Sequence, residues 1–302
     1  MKRDFLALSQ FSKDELDNLF ALTAELKLRQ KQGVEHSLLK GKSVALIFEK
    51  SSTRTRISFE VGVYQLGGQP LFISSGTSQM GRGEPIKDTA RVMARYCDGV
   101  MIRTYGQEIV EEFAAYCNKP VINGLTDKFH PCQIMADIFT VIEHKGGYDG
   151  LRYAWVGDGN NMANTWIEAA AIFGFELRLA CPTGYEPDAG VMAWAKEKGA
   201  KLLLTTDPRE AVAGADVVNT DVWASMGQEA EQKVREKAFS GYCLDDALLS
   251  LARPDSLVLH CLPAHRGEEI SDSVIEGKNS VVWDEAENRL HVQKAIMASL
   301  VK

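Results

Sequence analysis

Residues 51–56 read SSTRTR: two serines, two threonines and two arginines in six consecutive positions. Hydroxyls and guanidinium forks at this density suit an oxyanion. A helix beginning near Thr53 would add its free backbone N–H groups and the positive end of its dipole. Ser52, Thr53 and Thr55 supply hydroxyl donors, and Arg54 supplies a planar fork that grips phosphate through two hydrogen bonds. Together they describe a phosphate site. The plainer alternative is an N-cap serine followed by solvated arginines, and the number of donors weighs against it. Arg56 fits an ion pair along the helix equally well.

Other chemically suggestive residues also follow apolar segments. Arg103 ends the run GVMIR, where an arginine faces a site more often than solvent. HPCQ, residues 130–133, has proline suited to a first helical turn, with His130 and Gln133 at the same helix end. The glycine-rich stretch SSGTSQMGRGEP, residues 74–85, is either a surface loop or one that closes over a ligand with Gln79 or Arg82. GDGNNMAN after RYAWV resembles a dinucleotide fingerprint, but Met162 stands at the third glycine position. The next strand also ends without the acidic residue that would hold a ribose. Asn160 and Asn161 are better read as amides at a helix start. DVWASMG puts Asp221 at a strand end, where it either binds an ammonium group or caps a helix, with Ser225 and Met226 a turn further on. Cys261 in HCLPAHRG and Arg289 in AENR would pass, taken singly, as a packing residue and a solvated charge.

The elements that carry these residues alternate. A capping box, Ser12 with Glu15, opens an amphipathic first helix. Strands SVALIFE, PLFIS, GVMIR and KPVIN then alternate with helical segments. After the break KGGYDG, residues 145–150, the pattern restarts with LRYAWV, ELRLA, KLLLT, ADVVNT, DSLVLHC and SVVW as strands. A final helix covers AENRLHVQKAIMASLV. This pattern predicts an α/β protein with two doubly wound parallel-sheet domains, crossover helices and a C-terminal helix closing the chain. Residues 1–144 form the first domain and 145–302 the second. Open sheets of this kind bind ligands beyond the carboxyl ends of their strands, and six strand ends here carry such residues, with Arg289 in the final helix.

Composition narrows the function. The chain has 302 residues and a net charge of −7, which argues against a general nucleic-acid binder. No apolar run approaches a membrane span. The six cysteines form no C-x-x-C pair and no zinc-spaced cluster, so a reduced, cytoplasmic protein without metal is expected.

SSTRTR, HPCQ, DVWASMG, HCLPAHRG and AENR, in this order and at these spacings, resemble the aspartate/ornithine carbamoyltransferase superfamily over nearly the whole chain. D-x-x-x-S-M-G with H-C-L-P resembles its ornithine branch. The resemblance implies carbamoyl transfer from carbamoyl phosphate to L-ornithine in arginine metabolism, with biosynthesis and degradation using the same site. It makes residues 1–144 the carbamoyl-phosphate-binding domain and 145–302 the ornithine-binding domain. The helix from about residue 286 packs back on the first.

It also assigns roles. Ser52, Thr53, Arg54 and Thr55 hold the phosphate. Thr55, Arg103 and His130 surround the carbonyl oxygen. Gln133 and the Leu262 carbonyl take the carbamoyl NH2, and Arg289 reaches the same substrate. Gln79 arrives from the neighbouring subunit of a homotrimer whose active sites lie at subunit interfaces. Asn161, Asp221, Ser225 and Met226 bind ornithine, with Cys261 near the reacting amine. Arg54, Arg103, His130 and Cys261 form the catalytic set. A cis peptide before Pro263 is implied, and neither metal nor organic cofactor. The alternatives are a putrescine carbamoyltransferase and a nucleotide-dependent dehydrogenase.

Overall fold

The structure, a computed structural model, describes residues 2–74, 76, 83–224 and 231–302. Gln79, Arg82, Ser225 and Met226 lie outside them. The chain divides into two compact units, residues 1–136 with 287–302 and residues 137–286.

The first unit begins with α1 (Lys13–Lys31), whose Ser12–Glu15 capping box is formed in both directions. Then come β1 (Ser43–Phe48), α2 (Thr53–Gln65), β2 (Gln69–Ser74), α3 (Ile86–Tyr96), β3 (Gly99–Arg103), α4 (Gln107–Tyr116) and β4 (Val121–Leu125). The division between units falls within α5 (Pro131–Lys145). The four strands form a parallel sheet in the order β2-β1-β3-β4. Val44, Ala45, Leu46 and Ile47 are fully buried. That explains why β1 is a continuous apolar run rather than an alternating one: a parallel strand is covered on both faces. Burying each large side chain stabilises the unit by roughly 1.5–3 kcal/mol.

The second unit continues with β5 (Arg152–Val156), α6 (Asn161–Phe173), β6 (Glu176–Ala180), α7 (Ala189–Glu197), β7 (Lys201–Thr205), α8 (Pro208–Val212) and β8 (Val217–Thr220). It goes on through α9 (Gln232–Ala238), α10 (Asp246–Leu249), β9 (Leu257–His260) and α11 (Asp272–Ile275). Its parallel sheet has the order β7-β6-β5-β8-β9.

The last helix, α12 (Val282–Leu300), begins in the second unit and from Glu287 belongs to the first. There Lys27 Nζ donates to Asn288 Oδ1 at 2.7 Å, and Lys294 Nζ donates to Gln65 Oε1 at 2.9 Å. Lys294 Nζ also lies 2.7 Å from His36 Nε2. Val301, just past this helix, explains Gly99: a Cβ there would stand 2.7 Å from Val301 Cγ2.

One strand expectation fails. SVVW is not a strand: Ser280 makes an isolated bridge to Val258, and α12 has begun by Val282. The first turn of that helix has a competing use, since Glu285 Oε2 accepts the His260 N–H at 2.8 Å.

Candidate active site

Each sheet reverses its winding once, between β1 and β3 in the first unit and between β5 and β8 in the second. Such switch points open a crevice past the strand ends. The candidate residues gather at these two places.

In the first unit, Ser52 caps α2 and its side chain accepts the Thr55 N–H at 3.2 Å. This leaves the hydroxyl proton free to donate and fixes the turn. Thr53 is exposed and Arg54 half-buried, both in the first turn, where backbone N–H groups have no helical partner. Thr55 is fully buried, and two guanidinium groups converge on its hydroxyl. Arg289 Nη2 is 2.9 Å from Thr55 Oγ1, and Arg103 Nη1 is 3.4 Å from it. Both arginines are buried, as are His130, at the entry to α5, and Gln133 in its first turn.

His130 has a pKa well below the usual imidazole value, because burial and then the Arg289 and Arg103 charges all oppose a proton. It is therefore neutral at pH 7 and offers one N–H donor beside two permanent cations. Two buried arginines, a neutral imidazole and a capped helix start gather hydrogen-bond donors and positive charge in one place, which suits an anion. Arg56 resolves to the plainer reading: it pairs with Glu60 at 3.0 Å and lies 3.6 Å over the Phe72 ring.

Sequence reasoning missed Lys50. It is buried, bonds Asp127 and sits 4.3 Å from the Tyr105 ring centroid. Its signal was position alone, directly before SSTRTR.

In the second unit Asn160 caps α6, accepting the N–H groups of Met162 at 2.9 Å and Ala163 at 3.3 Å. Its amide then donates to Asp221 Oδ2 at 3.0 Å. Asn161 is the first residue of the helix. Asp221 Oδ1 accepts the Val222 N–H at 2.8 Å and the Cys261 thiol at 3.2 Å. Asp221 thus presents a carboxylate held by an amide, a backbone N–H and a thiol. Burial and then the Asp221 carboxylate push the Cys261 pKa well up, so it is a thiol donor and not a thiolate.

Cys261 and Leu262 follow β9. The Leu262–Pro263 peptide is cis, and Leu262 has φ of 58°. The loop is strapped by His260, whose Nδ1 accepts the Leu262 N–H at 2.9 Å. The proton then sits on His260 Nε2, which donates to Glu269 Oε1 at 3.0 Å. His265 N–H donates to the same oxygen at 2.6 Å. His260 and Glu269 are fully buried beneath the loop, and sequence reasoning missed both.

Two donor groupings are close enough for a metal among the described residues: Asp221 with His260 and Cys261, and His265 with Glu268 and Glu269. In the first, both His260 nitrogens are engaged and the thiol proton is donated to Asp221. Among the described residues no helix is long and apolar enough to cross a membrane.

GDGNN does not work as a dinucleotide loop. A Cβ on Gly159 would lie 2.2 Å from Pro187 N, and the Gly159 N–H donates to Tyr185 O at 2.8 Å. The glycine serves contact with a neighbouring loop. Met162, at the third glycine position, is buried at 1% exposure.

The two halves define a doubly wound protein with two buried arginines converging on a helix start at one switch point and a hydrogen-bonded carboxylate at the other. The chain belongs to the aspartate/ornithine carbamoyltransferase family: residues 3–143 match its carbamoyl-P binding domain and residues 149–300 its Asp/Orn binding domain. Ornithine carbamoyltransferase of Geobacter sulfurreducens is 79% identical over 303 residues, covering 100% of both chains. That of Geobacter metallireducens is 78% identical over the same length and coverage. Among solved structures, ornithine carbamoyltransferase from Pyrococcus furiosus has a TM-score of 0.96 at 48% identity, covering 99% of this chain and 97% of its own.

Proposed function

We propose that the chain transfers the carbamoyl group of carbamoyl phosphate to the side-chain amine of L-ornithine, giving L-citrulline and phosphate. The observation that carries the reading is the convergence of Arg289 and Arg103 on Thr55, in the first turn of the helix that Ser52 caps. Ser52, Thr53, Arg54 and Thr55 hold the phosphate and stabilise its charge as it leaves. Arg103, neutral His130 and Thr55 donate to the carbonyl oxygen as negative charge builds there. One such donor is worth roughly 3 kcal/mol. Gln133 and the Leu262 carbonyl take the carbamoyl NH2, and Arg289 adds charge beside the phosphate.

Asp221 and Asn161 bind the amino-acid end of ornithine, with Ser225 and Met226, and leave the other amine to attack. If that amine titrates like lysine, near ~10.4, roughly one molecule in a few thousand is neutral at pH 7. Holding it in place therefore matters more than any strong base. Cys261, kept a thiol, orients Asp221 near this amine.

The test is kcat/KM for carbamoyl transfer with L-ornithine, putrescine and L-aspartate as acceptors. Ornithine is expected to be strongly preferred. Preference for putrescine would overturn the Asp221 assignment and keep the phosphate site, and no transfer to any acceptor would remove both.

The reading extends to a homotrimer in which a neighbouring copy supplies Gln79. Exposed apolar side chains on the edge strand β2 support assembly: Leu71 and Phe72 are each 39% exposed. A monomer by sedimentation would overturn this. Six unbridged cysteines fit a cytoplasmic enzyme of arginine biosynthesis. Growth without arginine after deletion of its gene would remove the biosynthetic role.

A further inference from the structure

Arg235, on α9, is 6% exposed. Its Nη1 donates to Asp158 Oδ2 at 2.8 Å and to the Trp223 carbonyl at 2.9 Å. Its Nε donates to Glu231 Oε2 at 3.1 Å, and its guanidinium lies 4.9 Å from the Tyr185 ring centroid. One side chain therefore touches three loops. Asp158 belongs to the loop after β5 that leads into Asn160 and Asn161. Trp223 is two residues beyond Asp221 in the loop after β8. Tyr185 belongs to the loop against which Gly159 packs.

Burial pushes the Asp158 pKa up to about 6 even though Arg235 pulls the other way. A buried pair of this kind is weak evidence for stability, since removing ions from water costs several kcal/mol each. What the pair supplies is a fixed distance between the two loops at the switch point.

We propose that Arg235 is a positioning residue for the acceptor: by tying Asp158 to the Trp223 carbonyl it fixes the spacing of Asn161 and Asp221. This rests on the reading that those two residues bind ornithine. Lysine is not an equivalent, because a single ammonium lacks the planar fork that serves Asp158, Trp223 and Glu231 together.

The test uses the full-length chain with Arg235→Gln, Arg235→Lys and, as a control on the acceptor site, Asp221→Asn. Steady-state kinetics give KM for ornithine and kcat, and calorimetry gives Kd for carbamoyl phosphate without ornithine. The expected result for Arg235→Gln is an ornithine KM raised at least about tenfold, kcat at saturation within about threefold, and an unchanged Kd for carbamoyl phosphate. Arg235→Lys should fall between it and the parent. If Asp221→Asn raises the ornithine KM and both Arg235 variants leave it unchanged, the positioning role is wrong and the acceptor site stands. If Asp221→Asn itself leaves the KM unchanged, the acceptor reading fails first. Equal losses toward both substrates with a lowered melting temperature would make Arg235 a fold residue and overturn the proposal.

Discussion

The two switch points solve different problems with different materials. In the first unit the crevice is lined by cations: Arg103 and Arg289 meet at Thr55, above a helix start that adds its own positive end. In the second unit the central group is a carboxylate, and neutral donors from the ends of β5, β8 and β9 hold it in place. The first site is built from charge at the end of β3, at the start of α2 and within α12. The second is built from hydrogen bonds between loops. A site made of charge tolerates small displacements, because Coulomb attraction falls slowly with distance. A site made of aligned hydrogen bonds does not, because those weaken steeply with angle.

This contrast ranks the losses. Arg54→Ala should lower kcat by about 10²–10³-fold with ornithine saturating, since the charge on the departing phosphate loses a donor. Circular dichroism and the melting temperature should be unchanged for a half-buried side chain at a helix start. Unaltered turnover in the folded variant would remove the phosphate assignment. Asp221→Asn should cost less, about 10–10²-fold in kcat/KM for ornithine, the value of roughly 1.5–3 kcal/mol for a hydrogen bond to a charged group. Isothermal titration of carbamoyl phosphate alone should be unaffected. A comparable loss in that titration would mean the two sites are not separate.

The same contrast explains what the sequence could reveal. Ser52, Thr53, Arg54 and Thr55 sit in one short run, so SSTRTR reads as a candidate phosphate site from residue types and spacing, whereas Arg103 and Arg289 reach Thr55 across 48 and 234 positions. The βα alternation is legible for a related reason: parallel strands are continuous apolar runs and the longer crossover helices are amphipathic. Residues that act by bridging loops leave no local pattern. Lys50, Asp158, Arg235, His260 and Glu269 find their partners across 77, 77, 77, 9 and 9 positions respectively, and no window of sequence contains both ends of the longer ones. Helices α8, α9, α10 and α11, of 5, 7, 4 and 4 residues, are too short for a periodic signal. SVVW failed because β-branched residues favour a strand locally, while the chain there turns into α12.

The sharpest form of the comparison is electrostatic and concerns stability. The first unit buries His130, His291 and Lys294, whose pKa values fall, and the second buries the Asp158 carboxylate, whose pKa rises. His291, in the first unit, is 3% exposed and its pKa is lowered to about 4 by burial and then by Lys294, against the pull of Glu287. The folded chain takes this proton only near pH 4, whereas the unfolded chain takes it near ~6.5. Stability from this group is therefore complete above pH 6.5 and is lost as pH falls toward 4, at up to about 1.4 kcal/mol per pH unit. Asp158 in the second unit has the opposite sign: its pKa is raised to about 6 from 3.8, so acidification through that window favours the folded unit. His291→Gln should accordingly flatten the fall in melting temperature between pH 6.5 and 5 and leave turnover at pH 8 unchanged. The imidazole signal that disappears in this variant should be one that titrates near 4 in the parent. If that signal titrates near 6.5, the interior around His291 is wetter than its burial implies. The contrast between the two units would then rest on His130 and Lys294 in the first and Asp158 in the second.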